Sequence, residues 1–479
     1  MTEHIITGYK PEKIFKFFED IAAIPHGSKN EKAVADYLEA FAVTRNLEFY
    51  RDEFDNILIK RPATAGYENE PAVVLQGHTD MVCEKNADCD HDFENDPLDL
   101  YIEDGWLKAR GTTLGADDGI AVAAMLALLD GEAEEHPALE CLFTVQEEIG
   151  LVGAINFDYS RILARRMINL DSAGEGCATV GCAGGCRTDI KLPVELVPAG
   201  GNALKINLFG LMGGHSGEEI NAGRENAIKL MGRLLLALRR DCDYNLISIS
   251  GGLMDNAIPR ECEAIITVRD IDEVKALVIK ITAAYANELS AADSDFKMSC
   301  EPCELPEYMM NCACTRKVVA MLGSFNNGVL KMSQDIEGLV EYSRNLGIIR
   351  TENGCVKFTF SSRTAIESQL DSSCDYLDAF AELCGATCEH HGRYPGWAYS
   401  KESPVRDKYV KVAREVLGVE PRVEAIHAGL ECGTIKSQIP DMDIVAIGAA
   451  VENMHTPEEK LELASFERFW QIIVGMLKK

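Results

Sequence analysis

Short apolar runs alternate with helical patterns through the first third of the chain, and this alternation constrains the fold more than any other feature. Residues 72–76, 141–145 and 167–170 have the length and apolar character of buried strands. Between the first two lies an apolar run at 119–129 that is long enough for a helix. Strands separated by helices predict an α/β fold with a mixed, largely parallel sheet flanked by helices.

The middle of the chain has a different pattern. Residues 187–394 contain alternating strands, such as 205–209 and 262–268, with helices rich in Ala, Leu and Arg between them. This pattern is typical of an α+β domain inserted into the first one. Residues 395–479 again show a helix, a strand at 443–447 and a helix. For a chain of 479 residues we therefore expect one domain made of 1–186 and 395–479, interrupted by an inserted domain.

The balance of charge limits the classes of molecule that the protein is expected to bind. The chain has 47 basic and 77 acidic residues, for a formal net charge of −30. So acidic a surface repels nucleic acid and anionic membranes, which leaves small molecules or proteins as the expected partners. Residues 1–4 lack the features of a signal peptide, and the apolar run 119–129 is too short to cross a bilayer. We therefore expect a cytoplasmic protein whose 17 cysteines are reduced thiols.

Acidic and histidine side chains occur where the predicted strands end or where the next helix begins. They lie in five segments, which are 75–80 with His78 and Asp80, 114–119, 145–150, 169–174 and the surroundings of His455. Open α/β sheets bind ligands at the carboxyl ends of their strands. Because so many carboxylates at one edge would repel each other, one or two cations would stabilise the arrangement. Imidazole and carboxylate ligands suit zinc, manganese or cobalt better than calcium or copper.

Each segment also has an interpretation without a metal. A single histidine after a strand is more often structural, and a glutamate pair such as Glu147 and Glu148 is usually solvated. An aspartate before a helix is usually a cap. Residues 456–459, with the sequence Thr-Pro-Glu-Glu, are typical of a helix start with a capping box. The coincidence of all the segments at one predicted edge favours the metal interpretation.

Four short motifs resemble the metal-site motifs of the zinc aminoacylase and carnosinase family of metallopeptidases. They are residues 77–80, 115–119, 146–148 and 171–174. Three longer motifs are similar to those of the bacterial aminoacyl-histidine dipeptidases, which are carnosinase-like Xaa-His dipeptidases. These are residues 75–83, 250–260 and 427–433. The resemblance covers nearly the whole chain, and it implies that the inserted domain is a lid that closes on the substrate.

The resemblance implies a set of site residues. The metal ligands would be His78 and Asp171 for one ion, Glu148 and His455 for the other, and Asp117 as the bridge between them. Asp80 would orient His78 through its other ring nitrogen, and Glu147 would be the general base. The resemblance leads us to expect Asn at position 118, where this chain has Asp118, and this leaves Asp118 as an alternative for the bridge.

These residues predict a mechanism for peptide hydrolysis. Two metal ions about 3.5–4 Å apart can share a water and lower its pKa into the working range. Glu147 would take the proton of that water and deliver it to the leaving amine. In the lid, His215 of the motif 213–217 would stabilise the oxyanion, and Asn256 and Arg363 would bind the substrate. Arg363 suits a terminal carboxylate because its planar guanidinium matches two oxygens.

Some of these residues have other interpretations on sequence alone. His215 could be an idle residue of a glycine-rich turn, and Arg363 a surface residue near a strand end. Glu431 could meet a substrate amino group or accept a hydrogen bond from backbone. The adjacent histidines His390 and His391 are not expected to bind one metal, because neighbouring strand residues face opposite ways.

The sequence therefore predicts a cytoplasmic dipeptidase with two divalent metal ions, zinc above manganese or cobalt. Its substrates would be small peptides such as Xaa-His, and it would act without nucleic acid or membrane partners. Because members of the family commonly dimerise through the lid, we expect a homodimer, and His215 could serve either subunit. A related deacylase or tripeptidase is the alternative, and a metal- or peptide-binding protein without activity is a more distant one.

Overall fold

The computed structural model describes residues 4–172, 174–289 and 291–479. Residues 1–3 and Ala173, which the sequence analysis used, lie outside this description. The chain divides into two compact units. Unit 1 comprises Met1–Cys182, Trp397–Ala425 and Leu430–Lys479, and unit 2 comprises Ala183–Gly396 and Ile426–Gly429. The predicted first domain, 1–186 and 395–479, differs from unit 1 at residues 183–186, 395–396 and 426–429, which belong to unit 2.

The helices of the described residues are α1 Glu12–Ala22, α2 Lys32–Thr44, α3 Ala116–Leu129, α4 Val152–Asn156, α5 Ala227–Asp241, α6 Ile271–Glu288, α7 Cys312–Ser324, α8 Glu367–Cys384, α9 Pro404–Leu417, α10 Glu431–Gln438 and α11 Leu463–Leu477. A 3₁₀ turn covers Tyr159–Arg161. No helix in this part of the chain is both long and apolar enough to span a membrane.

The strands are β1 Glu48–Arg51, β2 Ile57–Arg61, β3 Val73–His78, β4 Leu100–Glu103, β5 Trp106–Ala109, β6 Leu139–Thr144, β7 Arg166–Asn169, β8 Cys177–Cys182, β9 Gly184–Pro193, β10 Leu196–Pro198, β11 Asn202–Phe209, β12 Gly214–His215, β13 Tyr244–Gly251, β14 Ala257–Ile258, β15 Cys262–Val268, β16 Lys297–Pro302, β17 Tyr308–Met310, β18 Gly328–Met332, β19 Val340–Glu352, β20 Cys355–Thr364, β21 Thr387–Tyr394, β22 Arg422–Ile426, β23 Asp443–Ile447, β24 Val451–Glu452 and β25 Lys460–Glu462.

The main sheet of unit 1 has the strand order β1-β2-β6-β3-β7-β23-β8-β22. The pairs along β6-β3-β7-β23 at its centre are parallel, whereas β1, β2 and β8 pair antiparallel. The predicted mixed, largely parallel sheet is confirmed. Every residue of β3 and β6 is buried, as expected for strands that are covered on both faces.

Helix α3 is apolar around most of its circumference because it lies in the interior of unit 1. It contacts α1 and the strand β3. Every residue from Ala116 to Leu129 is buried except Asp117. A helix of this kind is stabilised by burial on all sides rather than along one stripe. The exception, Asp117, is the residue that the sequence analysis proposed as the metal bridge.

The predicted helix start at residues 456–459 is wrong. These residues form turns, followed by the short strand β25 and only then by α11. The Glu459 side chain does not close a capping box, because its carboxylate accepts hydrogen bonds from a different segment. The donors are the backbone N–H groups of Leu114, Gly115, Ala116 and Asp117. A tertiary contact has therefore overridden a local signal.

Unit 2 is built on an antiparallel sheet with the strand order β16-β11-β15-β13-β19-β20-β9-β21. Its apolar core includes Leu230 and Leu234 of α5, Leu322 of α7 and Phe358 of β20. Helix α5 begins at Asn226, whose side chain accepts from the N–H groups of the first turn. Two short strands, β12 and β14, pair antiparallel and bring residues 214–215 against 257–258.

Glycine at position 448, just after β23, allows two segments of unit 1 to approach closely. A Cβ added to Gly448 would lie 1.5 Å from the backbone oxygen of Ser172, the residue after Asp171. We expect Gly448→Ala to force these segments apart and to lower the free energy of unfolding by about 1–3 kcal/mol. The urea midpoint of the variant measures this loss.

The matched control is Gly200→Ala. A Cβ at Gly200 meets no atom within 4 Å, so its free energy of unfolding should change by no more than about 0.5 kcal/mol. Equal urea midpoints for the two variants would contradict the proposed close packing at Gly448.

Candidate metal centre

The carboxyl ends of three central strands bring the acidic and histidine residues of unit 1 together. Strand β3 ends at His78, which pairs in register with Thr144, the last residue of β6. The pair Glu147 and Glu148 follows β6 directly. Asp171 follows β7, whose Asn169 pairs in register with Gln76 of β3. Because these strands are parallel neighbours, the loops after them lie at one edge of the sheet.

Asp117 lies between the two histidines. Its Oδ1 is 3.1 Å from His78 Nε2, and its Oδ2 is 3.3 Å from His455 Nε2. Asp171 Oδ1 is 4.0 Å from His78 Nε2, and Glu148 Oε1 is 3.0 Å from His455 Nε2. The structure therefore places all five predicted ligands in one cluster, with Asp117 at its centre.

The cluster contains overlapping sets of donor atoms with the spacing of a metal site. Each set has three potential ligand atoms within 4.8 Å of one another, and the sets are Asp117, Glu148 and His455; His78, Asp118 and Asp171; and His78, Glu147 and Glu148. The first two sets share no residue, so the cluster could hold two cations. Its donors are imidazole nitrogens and carboxylate oxygens, which suit zinc, manganese or cobalt.

The electrostatics of the cluster indicate that the carboxylates lack compensating charge. Burial raises the pKa of Asp171 to about 8 and the pKa of Glu147 well above its usual range. Glu148 Oε1 is buried, and its contact with His455 lacks hydrogen-bond geometry, so it has no hydrogen-bond partner among the described residues. Bound cations would remove these penalties. The residues of the cluster thus fit divalent metal ions.

The two histidines hold protons that a metal would displace. Burial opposes protonation of His78, but hydrogen bonds to Asp117 and Asp80 raise its pKa well above its usual range. Close contacts with the carboxylates of Asp117 and Glu148 raise the pKa of His455 to about 10. Burial acts to raise the pKa of Asp117, yet its bonds to the two histidines bring it below the usual range.

Asp80 has a wider role than the predicted orientation of His78. His78 Nδ1 is 2.9 Å from the backbone oxygen of Asp80 and 3.5 Å from its Oδ1. The Asp80 carboxylate accepts hydrogen bonds from the backbone N–H groups of Glu147 and Glu148 and from the Ser28 hydroxyl, at 3.0, 3.3 and 2.7 Å. Asp80 therefore fixes the loop that carries the two glutamates.

Asp118, the alternative for the bridge, faces a different way from Asp117. Its Oδ2 accepts a hydrogen bond from the backbone N–H of His78 at 3.2 Å, and burial raises its pKa well above the usual range. A Cβ at Gly77 would lie 2.3 Å from the same Oδ2, so glycine is needed there. Of the two aspartates, Asp117 is the one that contacts both histidines, which favours Asp117 as the bridge.

Glu431 lies beside the metal cluster, although the sequence analysis left its role open. It is the first residue of α10 and has no exposed surface. Its Oε2 accepts from Gln76 Nε2 at 2.5 Å and from Thr144 Oγ1 at 2.7 Å, while its Oε1 has no partner among the described residues. Burial raises the pKa of Glu431 to about 7. In the sequence, the feature that could have identified Glu431 as a site residue is its place in the motif 427–433.

In unit 2, the pairing of β12 with β14 brings the predicted oxyanion residue His215 next to the predicted substrate residue Asn256. His215 pairs in register with Ala257, and Ser216 N donates to the backbone oxygen of Asn256 at 2.9 Å. The backbone N–H of Glu218 donates to His215 Nδ1 at 3.2 Å. Burial and the charge of Arg363 lower the pKa of His215. The imidazole is therefore neutral near pH 7, with its hydrogen on Nε2.

Arg363 is a buried residue of β20 rather than a surface residue. It is 8% exposed, and its Nη1 donates to Tyr394 Oη at 2.9 Å. Its Nε has no hydrogen-bond partner among the described residues. Such an uncompensated buried donor suits an anionic ligand.

His427, which the sequence analysis used only as part of a motif, also belongs to this part of unit 2. Its Nε2 is 2.7 Å from Ser343 Oγ. Burial, with the charge of Arg363, lowers the pKa of His427 to about 3, so the ring is neutral.

Comparison with known proteins identifies the family. Residues 74–479 match peptidase family M20/M25/M40. The chain belongs to this family. It is therefore an enzyme, a hydrolase that acts on peptide bonds, in a family of metal-dependent peptidases.

Two relatives of this M20 peptidase match it over nearly their whole length. The cytosol non-specific dipeptidase of Escherichia coli strain K12 is 38% identical over 473 residues, which cover 98% of each chain. The crystal structure of aminoacylhistidine dipeptidase from Vibrio alginolyticus is 37% identical, with a TM-score of 0.93 over 100% of this chain and 99% of that one. Aminopeptidase PepT from Bacillus cereus ATCC 10987, at 16% identity and a TM-score of 0.59, covers 98% of both chains and shares the fold.

Glu459 of the M20 peptidase offers a test of how the metal centre is positioned. Both carboxylate oxygens accept backbone N–H groups from residues 114–117, and Glu459→Gln would turn an amide NH₂ toward those donors. We expect the free energy of unfolding to fall by about 1–3 kcal/mol and the metal affinity to fall with it. Urea unfolding and competition with a chelator measure the two effects.

The control is the exposed neighbour Glu458. Glu458→Gln removes the same charge without touching residues 114–117, so stability and metal affinity should stay at wild-type values. If Glu459→Gln behaved like Glu458→Gln, the role of Glu459 in holding Asp117 would be refuted.

Proposed function

We propose that this M20 peptidase is a dipeptidase that uses two divalent cations and that accepts aminoacyl-histidines among its substrates. The observation that carries the proposal is the position of Asp117, whose two oxygens face His78 and His455 separately. One carboxylate between two sets of donors is the arrangement that a pair of metal ions requires. The names of the two full-length relatives, both dipeptidases, support the substrate class.

We assign the ligands from the geometry of the cluster. His78 and Asp171 would hold one ion, and Glu148 and His455 the other, with Asp117 between them. Zinc is the first candidate, with manganese or cobalt as alternatives, because the donors are nitrogen and oxygen. When bound, the two ions lower the pKa of water and polarise a carbonyl.

Glu147 would move the proton in the reaction. It lies beside Glu148, and the bond from its own N–H to Asp80 Oδ1 fixes its backbone. It would accept the proton of the attacking water and then donate it to the leaving amine, since an amine anion leaves poorly. Its pKa, which burial raises, makes the carboxyl a stronger base than a solvated glutamate.

His215, Asn256 and Arg363 would bind the substrate. The neutral imidazole of His215 leaves Nε2–H as a donor, which can stabilise the negative charge that develops on the carbonyl oxygen. Arg363 would bind the terminal carboxylate of the dipeptide through its guanidinium. Asn256 would contact the peptide from the segment next to β14. We further propose a cytoplasmic homodimer, in keeping with the name of the Escherichia coli relative for the compartment.

The first experiment is a panel of substrates on metal-stripped enzyme with zinc, manganese or cobalt restored. The panel contains β-alanyl-histidine, leucyl-glycine, a tripeptide and an N-acetyl amino acid. We expect metal-dependent cleavage of the dipeptides, and we expect Glu147→Gln to lower kcat by roughly 10²- to 10⁴-fold while its metal content stays at the wild-type value. Glu135→Gln, at an exposed site, is the control and should keep full activity.

The outcomes separate the possible functions. If the tripeptide or the N-acetyl amino acid is cleaved instead of the dipeptides, the proposed substrate class is wrong but the proposed metal centre is retained. Absence of cleavage with every metal would overturn the catalytic proposal. An active Glu147→Gln variant would remove Glu147 from the role of general base.

Arg363 can be tested through the substrate carboxylate. We expect Arg363→Met to lower kcat/KM for a dipeptide by roughly 10- to 100-fold, the value of a charge-assisted hydrogen bond. A dipeptide amide, which has no terminal carboxylate, should lose far less. Steady-state kinetics on the acid and amide pair measure the difference.

Arg233→Met is the matched control, because Arg233 pairs with Glu288 on exposed surface of unit 2. It should leave kcat/KM unchanged for both substrates. An equal loss for acid and amide in Arg363→Met would mean that Arg363 supports the fold and does not bind the carboxylate.

A further inference from the structure

A second group of potential metal ligands lies in unit 2, among residues that the proposed function does not use. Helix α8 packs against the strands β9 and β21. Five side chains of the ligating type meet between these elements, namely Cys186 of β9, Cys374 and Asp378 of α8, and Cys388 and His390 of β21. They form two sets of three donors that share His390, one with Asp378 and Cys388, the other with Cys186 and Cys374.

Local geometry explains why these side chains converge. Cys388 and His390 are two residues apart on a strand, so they face the same side of the sheet. Cys374 and Asp378 are four residues apart on α8, so they share one face of the helix. His391, by contrast, points to the other side, where its Nε2 is 3.4 Å from Asp189 Oδ2. The adjacent histidines thus face opposite sides of the sheet, and of the two it is His390 that lies beside both cysteine and aspartate side chains.

The set of Asp378, Cys388 and His390 has the dimensions of one face of a tetrahedral site. His390 Nε2 is 3.1 Å from Asp378 Oδ1 and 3.8 Å from Cys388 Sγ. Zinc binds nitrogen and oxygen at about 2.0–2.2 Å and sulfur at about 2.3 Å, which places the ligand atoms of a tetrahedron roughly 3.3–3.8 Å apart. The two distances therefore need little adjustment to admit an ion.

The imidazole of His390 is also oriented as metal ligands usually are. Its Nδ1 is 2.9 Å from Thr188 Oγ1, the side chain opposite it on β9. A partner of this kind fixes the ring and leaves the other nitrogen for the ion. The side chains of His390 and Asp378 are 26% and 54% exposed, so an ion can reach the site from solvent.

We propose that Asp378, Cys388 and His390 bind a thiophilic divalent cation, Zn²⁺ or a metal of similar preference, with water as the fourth ligand. On binding, the Cys388 thiol releases its proton to solvent and the thiolate sulfur donates an electron pair to the ion. The ligand chemistry differs from that of the cluster around Asp117, because that cluster offers nitrogen and oxygen but no sulfur.

Cys186 and Cys374 are the competing ligands. Their sulfur atoms are 3.8 Å apart, a separation that a metal also permits. We favour Asp378 and Cys388 because both lie within 3.8 Å of the same nitrogen, His390 Nε2. Cys186, by contrast, is only 3% exposed, so an ion from solvent reaches it less easily.

Cobalt provides a test that is specific to sulfur. Co²⁺ is added to metal-stripped protein, and the near-ultraviolet spectrum is searched for the charge-transfer band of a thiolate bound to cobalt. We expect the band in the wild-type protein and its loss in Cys388→Ser and in His390→Asn. The matched controls, Cys384→Ser on α8 and His391→Asn on β21, should retain it. Circular dichroism of each variant shows whether it is folded.

Zinc content gives a second measurement. The wild-type protein should hold one more equivalent of Zn²⁺ than His390→Asn, and both should hydrolyse dipeptides at the same rate. Loss of the band in Cys374→Ser but not in Cys388→Ser would assign the ion to the other set and overturn the proposed ligands. Absence of the band from folded wild-type protein would overturn the site itself.

Discussion

The carboxylates around His78 share a space that is only partly open to water, and their repulsion is the constraint on which unit 1 depends. Asp171 and Glu147 cannot keep an ordinary negative charge there, as the raised pKa of each indicates. Two histidines offset part of this charge, but only cations can offset the rest. A cluster of this kind, at the carboxyl ends of the central strands, is therefore suited to bind metal ions.

The side chains of this cluster are positioned by hydrogen bonds to the backbone segments that carry them rather than by contacts among the ligands themselves. Asp80 accepts the N–H groups of Glu147 and Glu148, and Glu459 accepts those of the segment before Asp117. Gln146 and His455 have φ values of +52° and +62°, a left-handed conformation that costs energy for residues other than glycine. Gln146 is held in this conformation by the hydrogen bond from its N–H to Glu31 Oε1 and by the one that its backbone oxygen accepts from the N–H of Val152.

Much of the fold was readable from local pattern. The strands predicted at 262–268 and at 443–447 coincide with β15 and β23, and the runs at 72–76 and 141–145 differ from β3 and β6 by one or two residues at their ends. Apolar periodicity predicts such elements because burying the apolar residues of one face directly stabilises the helix or strand that carries them. The prediction of a helix start at 456–459 was wrong because Glu459 accepts hydrogen bonds from N–H groups that are more than 300 residues away in the chain. A contact of this kind cannot be read from the local sequence. For the same reason, the role of Glu431 stayed open and Thr188 was not identified from the sequence.

By itself, the sequence determined the α/β class, the edge at which the polar residues gather and, through motif resemblance, the family. These depend on short-range spacing, in which each residue type acts on its neighbours. Only the tertiary structure decided that Asp117 rather than Asp118 faces both histidines, that Asp80 holds a loop as well as a ring, and that Arg363 is buried. It also brought His390 to Asp378 and Cys388. Such facts depend on the direction of side chains across separate strands and helices, which packing fixes only after the chain has folded.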